Sequence, residues 1–247
     1  MDDDTNTDLE WVIYHLTMND DEDFTYVELD VDLCRSDNDQ WRRLLIGLAR
    51  NSTLETLDLT RGLQRMVATD EDLERLFEAI RLIPELRKVK LDSFSTDDLL
   101  QSRSLFQNNE KITALVIENT RFVPEDAETQ NQNRFDERHV DFLLSMCERS
   151  LRILRIEIPQ PLLSADPVHV PFAPLLQESS DLKELVIEAS GSICFIKDDH
   201  FATLIEAVKA NSKLIILDID LQVSPEGFDL VTTMLEKNQT LQELRLN

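Results

Sequence analysis

The sequence predicts an α/β solenoid, in which a short strand and a helix alternate in a repeated unit, and three observations carry that prediction. An aliphatic phrase recurs every 26 to 39 residues, and apolar residues at helical spacing lie between successive phrases. In most units a constant number of residues separates the last apolar helix position from the next phrase. A period of this size is typical of stacked repeats, whose units bury their apolar faces against one another. We therefore expect one solenoid of about eight units over 24–247, preceded by an acidic tail and capping helix at 1–23.

The strand phrase is an aliphatic residue, two others, an aliphatic, one other and an aliphatic. Alternation along a strand sends the second and third aliphatics to the same side, so each phrase predicts one parallel strand with a buried face. A weaker copy opens the series at Phe24/Val27/Leu29, and seven strong copies follow: Leu54/Leu57/Leu59, Leu86/Val89/Leu91, Ile112/Leu115/Ile117, Leu151/Leu154/Ile156, Leu182/Leu185/Ile187, Leu214/Leu217/Ile219 and Leu241/Leu244/Leu246.

The helical half of the unit shows apolar residues at i, i+3, i+4 and i+7, which form one stripe on a helix. In most units the last apolar residue of the helical stripe stands six positions before the next strand phrase, as with Leu48 and Leu54. The stripes are Trp41/Leu44/Leu45/Leu48, Leu73/Leu76/Phe77/Ile80, Val140/Leu143/Leu144/Cys147 and Phe201/Leu204/Ile205/Val208, with Phe228/Val231/Leu235 as an incomplete version.

Helix ends are marked by capping residues. Thr69 with Asp72 and Ser224 before Pro225 are typical of helix starts. An asparagine stands three residues ahead of four of the phrases, where we expect it to end the helix in a left-handed backbone conformation. These asparagines are Asn51, Asn109, Asn211 and Asn238.

Three segments depart from the repeat. The polar segment 121–136 predicts a solvated loop, and five prolines between 159 and 174 predict an irregular connection instead of a full helix. Near the amino end, apolar residues predict a helix that covers the first layer of the core: Leu9, Trp11, Val12, Ile13 and Leu16. The chain ends on a strand phrase without a polar closing unit, which is typical of a fragment of a longer repeat protein.

The strand phrase, the following helix and the asparagine-anchored return resemble leucine-rich repeats of the ribonuclease-inhibitor type over about 24–247. That resemblance implies parallel strands on a concave face and helices on the convex face. The family usually has Asn or Cys three residues beyond the last strand aliphatic. Here those positions hold Gly62, Phe94, Thr120, Pro159, Ser190 and Gln222, which indicates a divergent member. The family serves many functions, so the resemblance does not choose among them.

The charge balance restricts the partners. Forty-nine acidic residues against 25 basic ones leave a formal net charge of −24, which disfavours nucleic acid and anionic membranes and favours a protein or peptide with a basic segment. The acidic amino terminus is unlike a targeting segment, no apolar run is long enough for a membrane span, and the three cysteines suit a reducing compartment. We expect a cytoplasmic or nuclear protein, and the sequence leaves its oligomeric state open.

The position after each strand phrase predicts an acidic column on the concave face. Six of its eight residues are acids: Asp30, Asp92, Glu118, Glu157, Glu188 and Asp220, with Thr60 and Asn247 completing it. Beside it, aliphatic residues between the buried positions predict an apolar strip, to which Val116, Ile153, Val186 and Ile216 belong. The candidate partner site consists of Asp92, Glu118, Glu157, Glu188, Asp220, Val116, Ile153, Val186 and Ile216. Alternatives are a solvated charged face and a strip covered by the chain's own loops.

No catalytic, cofactor or metal site is expected. The four glycines are too scattered for a phosphate-binding loop, the four histidines lack metal-ligand spacing, and nucleophile signatures are absent. The sequence favours a non-catalytic interaction scaffold. Two alternatives stay open, a regulator of a partner enzyme, such as a GTPase activator or an inhibitor, and a substrate receptor of a ubiquitin ligase.

Overall fold

The computed structural model describes residues 4–19, 24–62, 68–102, 105–106, 109–119, 143, 151–159, 172–178, 181–190, 196 and 198–246. Eight strands lie within these ranges, paired in parallel and ordered in the sheet as along the chain. The strands alternate with helices, which confirms the predicted α/β class of strand–helix repeats. The chain divides into two compact units, 1–114 and 115–247.

The first unit begins with a helix and then repeats the strand–helix alternation. Its elements are α1 (Asp4–Met18), β1 (Tyr26–Asp30), α2 (Val31–Arg35), α3 (Asn38–Arg50), β2 (Thr56–Thr60), α4 (Asp70–Arg81), β3 (Lys88–Asp92) and α5 (Thr96–Gln101). The register aligns the phrase residues of neighbouring strands, with Val27 beside Leu57 and Leu57 beside Val89. Each strand–helix repeat therefore adds one residue to each of the same apolar rows.

The second unit continues the alternation. Its elements are β4 (Ala114–Glu118, which begins at the last residue of the first unit), β5 (Ile153–Pro159), α6 (Ala173–Glu178), β6 (Glu184–Ser190), α7 (Asp198–Ala210), β7 (Ile216–Ile219), α8 (Pro225–Leu235) and β8 (Glu243–Leu246). Leu154, Leu185, Leu217 and Leu244 stand beside one another across β5 to β8. The predicted loop at 121–136 lies outside the described residues, as does the part of the proline-rich segment at 160–171.

The core is built from the phrase aliphatics, as predicted. Leu57, Leu59, Leu154 and Leu217 have no measurable exposure, and the second and third aliphatics are buried in every strand from β1 to β7. In β8, Leu244 and Leu246 are only half-buried.

The helical stripes pack onto these rows, with one exception. Trp41, Leu44 and Leu48 of α3 are buried and Leu45 is half-buried, and the stripes of α4 and α7 are buried in full. Of the stripe that begins at Val140, only Leu143 lies in the described chain, and it is buried. In α8 the expected stripe is wrong at both ends, because Phe228 and Leu235 are about half exposed and Met234 is buried instead.

The predicted helix starts are present. Thr69 Oγ1 accepts from the backbone N–H of Asp72, and Asp72 Oδ2 accepts from the N–H of Thr69, which is a reciprocal capping box. Ser224 caps α8 by accepting from the N–H of Gly227 at 3.1 Å, with Pro225 at the first helical position. These caps fix where the helices start and so where each strand phrase meets its helix.

The asparagines before the strands anchor the turns, but not through the left-handed backbone that the sequence suggested. Asn51 follows α3 with φ −69° and ψ 136°, an extended conformation. Within the described ranges, positive φ at non-glycine residues occurs at Asn19, Ser93 and Asn119. The side chain holds the turn instead, since Asn51 Oδ1 accepts a hydrogen bond from the backbone N–H of Leu54 at 2.7 Å.

Asn211 shows the full set of contacts. Its Oδ1 accepts from the backbone N–H groups of Lys213 and Leu214 at 2.8 and 2.7 Å, and its Nδ2 donates to the carbonyl of Leu176 at 2.6 Å. Asn238 repeats both kinds of contact one unit later. These side-chain amides accept hydrogen bonds from backbone N–H groups of the turn and donate to backbone carbonyls of the preceding repeat. These contacts explain why asparagine recurs at this position.

A buried ion network stabilises the loops that follow β1 to β3. Arg61 Nε lies 3.1 Å from Asp32 Oδ2, and Arg61 Nη1 lies 3.3 Å from Asp98 Oδ1. All three side chains are buried, and Asp32 also accepts from the backbone N–H groups of Gly62 and Ala68 at 3.0 Å. The network joins three successive repeats, and sequence reasoning missed it.

The predicted capping helix is present as α1. Leu9, Ile13 and Leu16 are buried against the first layer, but Trp11 is 56% exposed and is a correction to the expected covering set. α1 packs closely on α3 at Gly47, where an added Cβ would lie 3.0 Å from the Cβ of Leu16. The glycine therefore allows the close approach of the two helices.

Candidate functional site

The candidate site lies on the open face of the sheet, which we define as the face opposite the buried phrase aliphatics. In the second unit, Glu157 of β5 and Glu188 of β6 are register partners on this face. Glu118 ends β4, and Asp220 follows β7 and is exposed. Glu157 and Glu188 each lie two residues before the end of their strands, whereas Glu118 is the last residue of its strand and Asp220 directly follows one.

One arginine is held within this group of acids. Arg155 Nε lies 3.1 Å from Glu188 Oε2, and Arg155 Nη2 contacts Glu188 Oε1, so the pair is bidentate. This hydrogen bond is the main influence that raises the pKa of Arg155; the charges of Glu118 and Asp218 add to it, whereas burial acts in the opposite direction. The acidic column is therefore partly neutralised from within, which its spacing alone did not reveal.

Glu157 has a structural contact as well. Its Oε2 accepts from the backbone N–H of Asn119 at 3.1 Å, and Asn119 has φ 48°. The carboxylate therefore holds the turn that leaves β4, where the chain takes a left-handed conformation that most side chains disfavour.

The apolar strip is less exposed than expected. Val116 and Val186 are buried at 7% and 6% exposure, whereas Ile153 and Ile216 are half-buried. Val186 stands between Arg155 and Asp218 in the register, and long polar side chains cover small neighbours on a sheet surface. The part of the strip that solvent can reach is therefore formed by Ile153 and Ile216.

Asp92 belongs to the first unit, where it ends β3 in register with Thr60. Its carboxylate accepts from the hydroxyl of Ser93 at 2.9 Å and lies 3.9 Å from Lys90 Nζ. Its backbone carbonyl accepts from the N–H of Arg61 at 3.0 Å. Asp92 thus has local partners in its own unit.

The open face of the first unit also carries a tyrosine between acids, which sequence reasoning missed. Tyr26 donates to Asp58 at 3.1 Å and approaches Glu28 at 3.4 Å. Burial raises the pKa of Tyr26 to about 12, and the charge of Asp58 and its hydrogen bond contribute in the same direction. The alternation of Tyr26 and Glu28 in β1 is visible in the sequence, but the pairing of Tyr26 with Asp58 of β2 depends on the register of the strands.

The described side chains offer no group of three or more His, Cys, Asp or Glu that could hold a metal ion. The ring of His15 stacks on Phe24, with centroids 5.4 Å apart, and lies tilted against Trp11 at 4.3 Å. Burial raises the pKa of the Cys34 thiol to about 12, which keeps it protonated and unreactive near neutral pH. His139, His169, Cys147 and Cys194 lie outside the described residues. The helices that the structure describes include none long and apolar enough to cross a membrane.

Comparisons with known proteins give a fold likeness only. No protein-family model matches the chain, and no curated protein matches it in sequence. It is similar to the structure of leiomodin-1 actin-binding site 2, at 15% identity and TM-score 0.44, over 60% of this chain and 78% of that one. It is also similar to a tropomodulin C-terminal domain from Caenorhabditis elegans, at 16% identity and TM-score 0.43, over 81% of this chain and 90% of that one. Likenesses of this size carry no argument about what the present chain binds.

Proposed function

We propose that this chain is a divergent leucine-rich-repeat protein of the ribonuclease-inhibitor type and a non-catalytic scaffold of the cytoplasm or nucleus. It binds a protein partner that presents a basic or amphipathic segment. The partner lies on the open face of the sheet in the second unit, where its lysines and arginines meet the acids of that face. Its apolar side chains contact Ile153 and Ile216.

The bidentate pair of Arg155 with Glu188 is the observation that carries this proposal. It is an intramolecular example of the recognition proposed for the partner, a guanidinium held by a carboxylate of the open face with further acids around it. On the open face from β4 to β8, the described charged residues are seven acids and two arginines: Glu118, Glu157, Glu184, Glu188, Asp218, Asp220, Glu243, Arg155 and Arg245. The excess of negative charge favours a basic partner and accelerates its association.

Charge removal on this face tests the proposal. The variant E118Q/E157Q/E188Q keeps side-chain size and removes three negative charges, and E226Q/D229N/E236Q on the exposed side of α8 and its end removes the same number elsewhere. Both variants and the parent protein are immobilised and exposed to native extract at low and high salt. At low salt we expect the parent and the α8 variant to retain the same proteins and the open-face variant to lose them. At high salt we expect the parent and the α8 variant to lose them as well.

Two outcomes contradict the proposal. Capture of the same proteins by all three forms would show that the open face is not the binding surface. Retention that does not weaken with salt would show that charge does not drive the association.

A further inference from the structure

A second surface, in the first unit, has the properties of a docking groove. The outer sides of α1 and α3 enclose a groove of about 580 Å³ lined chiefly by Trp11, Tyr14, Met18 and Ile46, with Glu10 and Arg43 beside them. These four apolar side chains are 56%, 54%, 51% and 39% exposed, respectively. Tryptophan and tyrosine contribute much of the binding energy at protein interfaces, so their exposure together in one groove indicates a binding surface.

The groove follows from a helix with two apolar sides. Leu9, Ile13 and Leu16 face the core, which leaves Trp11, Tyr14 and Met18 on the other side at i, i+3 and i+7. That spacing places the three side chains in a row about 10 Å long. A row of this length matches two turns of a partner helix whose anchors repeat at the same spacing.

Trp11 is held in position without being covered. Its ring lies 4.3 Å from His15 and 5.6 Å from Phe24, centroid to centroid, the latter edge to face. Phe24 is buried, so the inner side of the indole rests on a fixed aromatic surface. Arg43 forms a bidentate pair with Glu10, at 2.8 and 2.9 Å. A preorganised groove of this kind loses little side-chain entropy when a ligand binds.

We propose that the groove between α1 and α3 binds an amphipathic helix of a partner protein that carries apolar anchors on one side and lysine or arginine on the other. Charge selects this occupant among the possible ones. A second copy of the chain brings another net charge of −24, and an anionic lipid surface is repelled by the same charge. α1 itself contains Asp4, Asp8 and Glu10 and neither lysine nor arginine. A basic helix offers both the apolar anchors and the opposite charge.

A synthetic probe tests the groove directly. The probe is an 18-residue peptide with leucine at i, i+3, i+4 and i+7 spacing and lysine elsewhere, and its control has the same composition in an order without an apolar side. The chain has two tryptophans, Trp11 and Trp41, and only Trp41 is buried. Quenching of fluorescence by acrylamide therefore reports Trp11, and we expect the amphipathic peptide to protect it while the reordered peptide does not.

Substitution separates docking from plain charge attraction. The variant Y14S/M18S/I46S removes three exposed groove residues without changing the net charge, and F228S/L235S removes two equally exposed residues of α8. We expect the groove variant to bind the labelled peptide at least about tenfold more weakly and the α8 variant to bind like the parent. The open-face variant E118Q/E157Q/E188Q keeps the groove, so protection of Trp11 by the peptide should survive in it even if the proposed function is wrong.

Three results would overturn the inference. Equal peptide binding by the groove variant and the parent would show attraction by net charge alone. Dimerisation of the parent that the groove variant abolishes, measured by sedimentation, would assign the groove to a second copy. Binding of the parent to vesicles of phosphatidylcholine and phosphatidylserine that the groove variant loses would assign it to a membrane surface.

Discussion

The guanidinium of Arg61 lies 3.1 Å from the carboxylate of Asp32, and both side chains are almost completely buried. The two residues belong to successive repeats, and a third, Asp98, joins them at 3.3 Å from Arg61 Nη1. One cation thus pairs with two buried carboxylates, which have further hydrogen bonds to the backbone.

Replacement of Arg61 by alanine should strongly destabilise the first unit, because Asp32 and Asp98 would remain buried without their cation. We expect a loss of about 3–5 kcal/mol in the free energy of unfolding. Urea unfolding followed by tryptophan fluorescence is the measurement, since both tryptophans lie in the first unit. Arg75→Ala, which removes an exposed i,i+4 pair with Glu71, should change the same free energy by less than about 0.5 kcal/mol. Similar midpoints for the two variants would refute the prediction.

Replacement of Asn211 by alanine should free the turn before β7. It removes the acceptor for two backbone N–H groups and the donor to Leu176, and we expect a loss of about 1–3 kcal/mol. Hydrogen exchange at the amides of Lys213 and Leu214 measures the effect locally, and both should exchange faster. Ser212→Ala, at the exposed position next to Asn211, is the control. Unchanged exchange at Leu214 in the Asn211 variant would argue against the anchoring role.

Gly47→Ala should loosen α1 although alanine is the better helix former. The gain in helix propensity is about 1 kcal/mol, whereas overpacking against the fixed Cβ of Leu16 costs about 1–3 kcal/mol. We expect a lower midpoint in urea and greater quenching of Trp11 by acrylamide. Arg42→Ala on the exposed side of α3 supplies an added alanine without the contact and should leave quenching unchanged. A stabilised Gly47→Ala protein would show that α1 shifts freely.

Cys34 should be unreactive while the first unit is folded. Burial and the nearby charge of Asp30 raise its pKa to about 12, from an ordinary value of 9.0 that the unfolded chain regains. Between these two values the unfolded state loses the thiol proton and the folded state keeps it, so stability is full below about pH 9 and falls as pH rises towards 12. In a C147S/C194S background, reaction with a disulfide reagent at pH 8 should be at least about tenfold slower than in denaturant. Equal rates would place the thiol in solvent.

Much of the fold could be predicted from the sequence because it depends on local periodicity. The alternation within Leu54, Leu57 and Leu59 fixes which side of a strand is buried, and helical spacing does the same for Trp41, Leu44 and Leu48. The prediction failed where a helix has apolar residues on two sides. Both Leu16 and Trp11 are apolar, and only the packing of α1 on α3 decided which of them faces solvent.

The candidate site could be predicted only as a set of positions. The phrase predicted Glu118, Glu157 and Glu188 at the same position of their repeats, but it contained no information on their partners. The pairing of Arg155 with Glu188 and the burial of Val186 depend on the register between strands and on side chains of neighbouring repeats.

The sequence by itself determined the repeating unit, the identity of the core residues and the helix starts. These properties depend on contacts within a few residues and on composition. Only the tertiary structure decided that Arg61 joins Asp32 to Asp98, that Glu188 holds Arg155, and that Trp11, Tyr14 and Met18 are left exposed on one groove. Each of these depends on the alignment of segments distant in sequence, which is set by how whole repeats pack and not by any local pattern.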